Sequence, residues 1–214
     1  MNGHVKDGLR SEFMTLWRAV AEDEPANAGR VFQALLDHYS QPGRHYHNLD
    51  HVTHCLDQSR LVEGLLADVR ALDLAIWFHD SVYDPLASDN EAKSAVLFRD
   101  LAGRAMTDSL VDDVARLILV TKSGQVPRQA DEAFMVDIDH SSFGLPWEPF
   151  LADSLAVRAE RTHLTDEQYS MQQSRMLMGL LDRESVFATD FFRARYEHIA
   201  RANISRYLAM IGRH

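Results

Sequence analysis

Val69-Arg70-Ala71-Leu72-Asp73-Leu74-Ala75-Ile76-Trp77-Phe78-His79-Asp80 decides the reading of the fold. Val69, Leu72, Ile76 and His79 recur at spacings of 3, 4 and 3, which places them on one face of an α-helix. That apolar face ends in a histidine, so His79 points inward. Asp80 follows at the helix end, where a turn can aim both side chains at one point. A carboxylate buried beside an imidazole needs a partner, because burying a bare charge is very costly. A divalent cation is a natural one.

The same helical spacing extends in both directions. Phe13, Leu16, Trp17 and Val20 form a stripe that stops near Glu24-Pro25, and Val31, Leu35, His38 and Tyr39 form a second, stopped by Gln41-Pro42-Gly43. His51, Cys55, Val62 and Leu66 share a face. Further helices are expected over 91–102, 109–121, 131–142, 148–160, 166–181 and 190–211, with Ser88 or Asp89 as N-cap of the first of these. Strand signals are weak throughout, so the expected class is all-α, a helical bundle of roughly nine or ten helices.

Four histidines, His45, His47, His51 and His54, fall within ten residues. His47 and His51 are four apart, which puts them on one face if they sit on a helix or on the turn leading into it. One histidine from this segment joins His79 and Asp80 to give three ligands. A fourth is expected from a distant helix, with Asp137 and Asp139 as candidates. Periodicity does not separate these two. A shell of nitrogen and oxygen without thiolate suits Mn, Fe, Co, Mg or Zn.

Composition narrows the function. The chain has 214 residues, 46% hydrophobic and 25% charged, with 11 histidines, one cysteine and a net charge of −10. A single domain over 1–214 is expected. One cysteine excludes a disulfide framework and any CxxC site. The acidity argues against extended nucleic-acid binding. No apolar run suits a signal peptide or a membrane span, so a cytoplasmic protein is expected.

Beyond the helices, four residue blocks stand out: Arg44-His45-Tyr46-His47-Asn48-Leu49-Asp50-His51-Val52, Phe78-His79-Asp80-Ser81-Val82-Tyr83-Asp84, Asp89-Asn90-Glu91-Ala92-Lys93-Ser94-Ala95 and Asp137-Ile138-Asp139. In these blocks the chain resembles the HD superfamily of metal-dependent phosphohydrolases, and within it a branch of small bacterial hydrolases. Weaker echoes lie at Val157-Arg158-Ala159-Glu160 and Glu197-His198-Ile199-Ala200-Arg201-Ala202-Asn203. The signature core covers 44–143, with helices 148–211 expected to pack on it. The Tyr-His-Asn-x-x-His block is also similar to one in cyclic nucleotide phosphodiesterases.

The resemblance implies His51, His79, Asp80 and Asp139 as ligands and His47 as the general acid at the leaving oxygen. Asp139 is preferred over Asp137 because a short, mostly apolar run follows the family's last ligand. The implied reaction is hydrolysis of a phosphate ester, a nucleotide or another small phosphorylated metabolite, by metal-activated water. Asp80 could bridge to a second ion, held by Glu91, which could instead orient the water. Asn90 joins the site, and Arg44 and Lys122 would neutralise phosphate charge. The resemblance also implies a histidine after Thr121-Lys122, where this chain has Ser123-Gly124. That difference argues against the superfamily's di-iron oxygenases and passes a second ion's ligand to His140 or His54. It also supports an alternative: a non-catalytic, metal-bearing nucleotide-binding or regulatory domain. Arg158, Arg175 and Arg201 are read as structural ion-pair partners, Trp77 and Phe78 as packing behind the site, and Met171, Met176 and Met178 as packing residues.

Overall fold

Ten α-helices carry the chain in a computed structural model, which describes residues 3–21 and 27–212. They are α1 (Gly3–Val20), α2 (Ala28–Tyr39), α3 (Leu49–Val62), α4 (Val69–Phe78), α5 (Asn90–Ala102), α6 (Asp108–Val120), α7 (Ala130–Asp139), α8 (Trp147–Glu160), α9 (Asp166–Leu181) and α10 (Asp190–Ile211). Short 3-10 turns follow α3 at Glu63–Leu65 and α7 at His140–Gly144. There is no strand among the described residues. The all-α expectation and its helix count hold. The stop at Glu24-Pro25 lies outside the described residues. No described helix is long and apolar enough to cross a membrane.

The chain divides into two compact units, Met1–Met135 and Val136–His214, and the division falls inside α7. In the first unit, α4 is the central helix. Its residues from Leu74 to Phe78 are all buried, and it packs on α1, α3, α5 and α6. Asp68 caps it by accepting from the Arg70 and Ala71 amides. Trp77 meets Phe13 edge-on at 5.2 Å and Phe32 at 6.1 Å. Phe78 meets Phe98 at 5.0 Å. Both rings are 0% exposed, so they pack the core and offer no face to a ligand.

In the second unit, α10 packs against the 3-10 turn, α9 and α8. Asn203 donates to the Phe143 and Leu145 carbonyls, which pins the 3-10 turn to α10. Gly144 sits so close to Tyr196 that a Cβ would lie 2.5 Å from the Tyr196 Cβ and 2.6 Å from its ring. Glu197 accepts from the Val186 and Phe187 amides and from Arg201. Arg158 pairs with Asp166. Arg158 and Arg201 therefore bind the backbone and acids of their own unit, as expected of structural partners. The methionines of α9 differ from expectation. Its buried stripe is Tyr169, Leu177 and Leu180, and Met171, Met176 and Met178 fall on the remaining arc, 66%, 39% and 53% exposed.

Candidate metal centre

Two chain segments of the first unit carry His51, His79 and Asp80. The first is the start of α3. Asn48 caps that helix with extended backbone, its side chain accepting from the Asp50 amide. His51 therefore lies in the first turn and is buried, whereas His47 lies before the cap, off the helix. The turn, not a shared helical face, brings their rings to 6.4 Å. The second segment is the end of α4, where His79 continues the helical conformation one residue further and is 1% exposed. Asp80 follows with 17% of its side chain exposed.

The key atoms converge. His51 Nε2 lies 3.2 Å from His79 Nε2. Asp80 Oδ2 lies 3.0 Å from His79 Nε2 and 3.6 Å from His51 Nε2. His79 Nδ1 lies 2.8 Å from the Ile76 carbonyl. A carbonyl only accepts, so Nδ1 carries the proton, and a neutral His79 presents the lone pair of Nε2. Asp80 Oδ2 facing that nitrogen at 3.0 Å is an acceptor against an acceptor. Even if His51 donates to His79, that repulsion stays. The arrangement calls for a cation, whether a proton on an imidazole or a metal. With the proton in place the contact is an ion pair: burial opposes ionisation of Asp80, but positive charge on His79, His47 and His51 and a hydrogen bond from His79 outweigh it and hold the carboxyl below the ordinary aspartate range.

Two of the three spacings among His51, His79 and Asp80, 3.0 and 3.2 Å, suit neighbouring ligands of one metal. Bonds of about 2.1 Å at octahedral or tetrahedral angles separate neighbouring ligand atoms by about 3.0–3.4 Å. Asp139 ends α7 and is half-buried. One ligand atom from each of His51, His79 and Asp139 lies within 4.8 Å of the other two, so this group could hold a metal ion. Asp137 is spent elsewhere. It is 1% exposed and accepts from the Ala188 amide, the Thr189 amide and the Thr189 hydroxyl at 2.6–2.7 Å. It anchors the start of α10, where the dipole favours an anion. Cys55, one turn after His51, rests its sulfur 3.7 Å from His51 Nε2.

The remaining expected residues take varied places. His47 stacks on Tyr83 at 4.1 Å and meets Tyr46 edge-on at 5.0 Å. The sequence assigned neither tyrosine a role, although both stand inside the motif blocks. Asn90 ties the loop before α5, accepting from the Asp84 amide and donating to the Asp84 carbonyl. Ser94 receives the Val82 amide. Glu91 is half-buried in the first turn of α5. Lys122 is exposed beyond α6. Arg44 donates to the carbonyls of His47, Asp80 and Ser81. Compared with protein-family models, curated proteins and solved structures, the chain matches none.

Proposed function

We propose that the chain is a metal-dependent phosphohydrolase of the HD type, acting on a nucleotide or another small phosphorylated metabolite. The observation that supports a cation is the facing of Asp80 Oδ2 and His79 Nε2 at 3.0 Å, with His51 Nε2 beside them. His51, His79, Asp80 and Asp139 would hold the ion. The chemistry a divalent cation brings to such a set is Lewis acidity toward water and phosphoryl oxygen. His47 sits outside this set, with its ring held between Tyr83 and Tyr46. An imidazole so placed can give a proton to a leaving oxygen.

Metal analysis of the purified protein, followed by a panel of nucleotides and phosphodiesters with added Mn, tests the reading. Bound metal and phosphate release are expected. Release should fall by about 10²–10⁴-fold in His47→Ala with metal content retained. Tight nucleotide binding without product in Mn, Fe, Co, Mg and Zn alike would replace the hydrolase by a non-catalytic nucleotide-binding domain. Failure to bind any of these metals removes both.

A further inference from the structure

Arg44 stands next to the histidine block, where a cation would ordinarily be read as a phosphate partner. Its hydrogen bonds go elsewhere. Nη1 donates to the His47 carbonyl at 3.0 Å and to the Asp80 carbonyl at 2.5 Å, and Nη2 donates to the Ser81 carbonyl at 2.8 Å. These acceptors lie 3, 36 and 37 residues away in sequence. The guanidinium carbon also lies 5.3 Å from the Tyr39 ring centre and 5.6 Å from that of Tyr83, within cation–π range. Tyr83 is the ring that stacks on His47, and the Tyr39 hydroxyl donates to the Trp77 carbonyl at the end of α4.

We infer that Arg44 is a positioning residue that clamps the His47 segment to the His79-Asp80 segment and so sets the ligand geometry. The inference rests on the metal-centre reading and deepens it. Neither segment is regular structure where it matters: His47 precedes the α3 cap, and Asp80 follows the end of α4. Their carbonyls lack helical partners there, and one planar fork of donors joins them. A lysine places three donors on a single nitrogen and cannot span the same set. Loosening the Asp80 carbonyl moves the carboxylate carried on the same residue. Outer partners of this kind typically account for 10–100-fold in metal affinity.

The test uses the full-length protein, wild type, Arg44→Lys and Arg44→Ala, the last with and without guanidinium chloride at low millimolar concentration. Mn affinity is measured by chelator competition, inorganic phosphate affinity by calorimetry, and amide exchange in the metal-free protein over 45–50 and 79–83. Both variants should bind Mn 10–100-fold more weakly and exchange faster in both segments. Guanidinium should restore part of the Mn affinity of Arg44→Ala. A phosphate-binding role would instead weaken phosphate and leave Mn affinity and exchange unchanged, which overturns the clamp. Faster exchange with unchanged Mn affinity also overturns it. If the wild type binds no Mn, the metal-centre reading fails, while faster exchange confined to the two segments still supports the clamp. If Arg44→Lys does not fold, guanidinium rescue in Arg44→Ala decides, and absence of rescue counts against the clamp.

Discussion

Asp80 and Asp137 are both aspartates near the ends of helices, yet their surroundings are opposites. Asp80 faces imidazole nitrogens, one of which has its proton directed away, toward the Ile76 carbonyl. Asp137 faces donors only: two amides and a hydroxyl at the start of α10. A carboxylate ringed by donors is finished and holds the fold together. A carboxylate set against imidazole nitrogens calls for a cation, a proton or a metal. If that cation is the proposed metal, the two aspartates should separate under substitution.

The largest expected effect is at the proposed metal centre. His79→Ala or Asp80→Ala should weaken metal binding by about 1000-fold or more, beyond the loss typical of outer partners. In the metal-free protein Asp80→Ala should cost only about 1 kcal/mol, since that partly exposed carboxylate pairs with imidazole. Metal analysis and urea titration on the same preparations check both halves. A stability loss comparable to that of a core deletion would show that the cluster is structural after all.

Asp137→Ala should do the reverse. It strands the Ala188 and Thr189 amides and the anchor of α10, at about 3 kcal/mol, while Mn affinity stays within about twofold. Burial pushes the Asp137 carboxyl above its usual range despite its donors, so Asp137→Asn should be milder than Ala. Gly144→Ala probes the same unit without touching charge. Its Cβ would meet Tyr196 at 2.5 Å, and overpacking of that kind costs about 2 kcal/mol. Urea unfolding measures each.

How much of this was legible depends on where the partners lie in sequence. Helices α9 and α10 begin and end where periodicity places them, because Thr165 and Thr189 cap them locally. α7 was read through Ser142 but changes to a 3-10 turn at His140, a shift that no local residue announces. His79 and Asp80 were legible because the stripe on α4 ends in them, and His51 because it opens a helical face with Cys55 and Val62 on α3. Periodicity did not choose between Asp137 and Asp139, since amides 51 and 52 residues downstream are what engage Asp137; the preference for Asp139 came from the resemblance, and Asp139 is the one grouped with His51 and His79. Arg44 is the same case. Three of its partners are main-chain carbonyls, which leave no mark in a sequence of side chains.

Asp73 lies between the two extremes and has the smallest expected effect. It sits on α4, and among the described residues its one donor is the Ser59 hydroxyl at 2.6 Å. Burial pushes its carboxyl up to about 6, and Glu12 and Glu63 add to the rise against the pull of Ser59 and Arg60. An unfolded aspartate titrates near 3.9. Below about pH 4 both states carry the proton and nothing is lost. Between about pH 4 and 6 the unfolded chain releases the proton while the native state keeps it, so native stability falls as pH rises. Above about pH 6 the loss is complete. Full conversion of the shift would give about 3 kcal/mol, and solvent screening of this half-buried group brings it to about 1 kcal/mol. Asp73→Asn lacks that slope. Its stability relative to wild type should therefore rise by about 1 kcal/mol between pH 4.5 and 7.5 in urea unfolding. An equal difference at both pH values would mean that Ser59 satisfies the ionised carboxylate as fully as the α10 amides satisfy Asp137, and a single hydroxyl would then be enough to finish a buried aspartate in this fold.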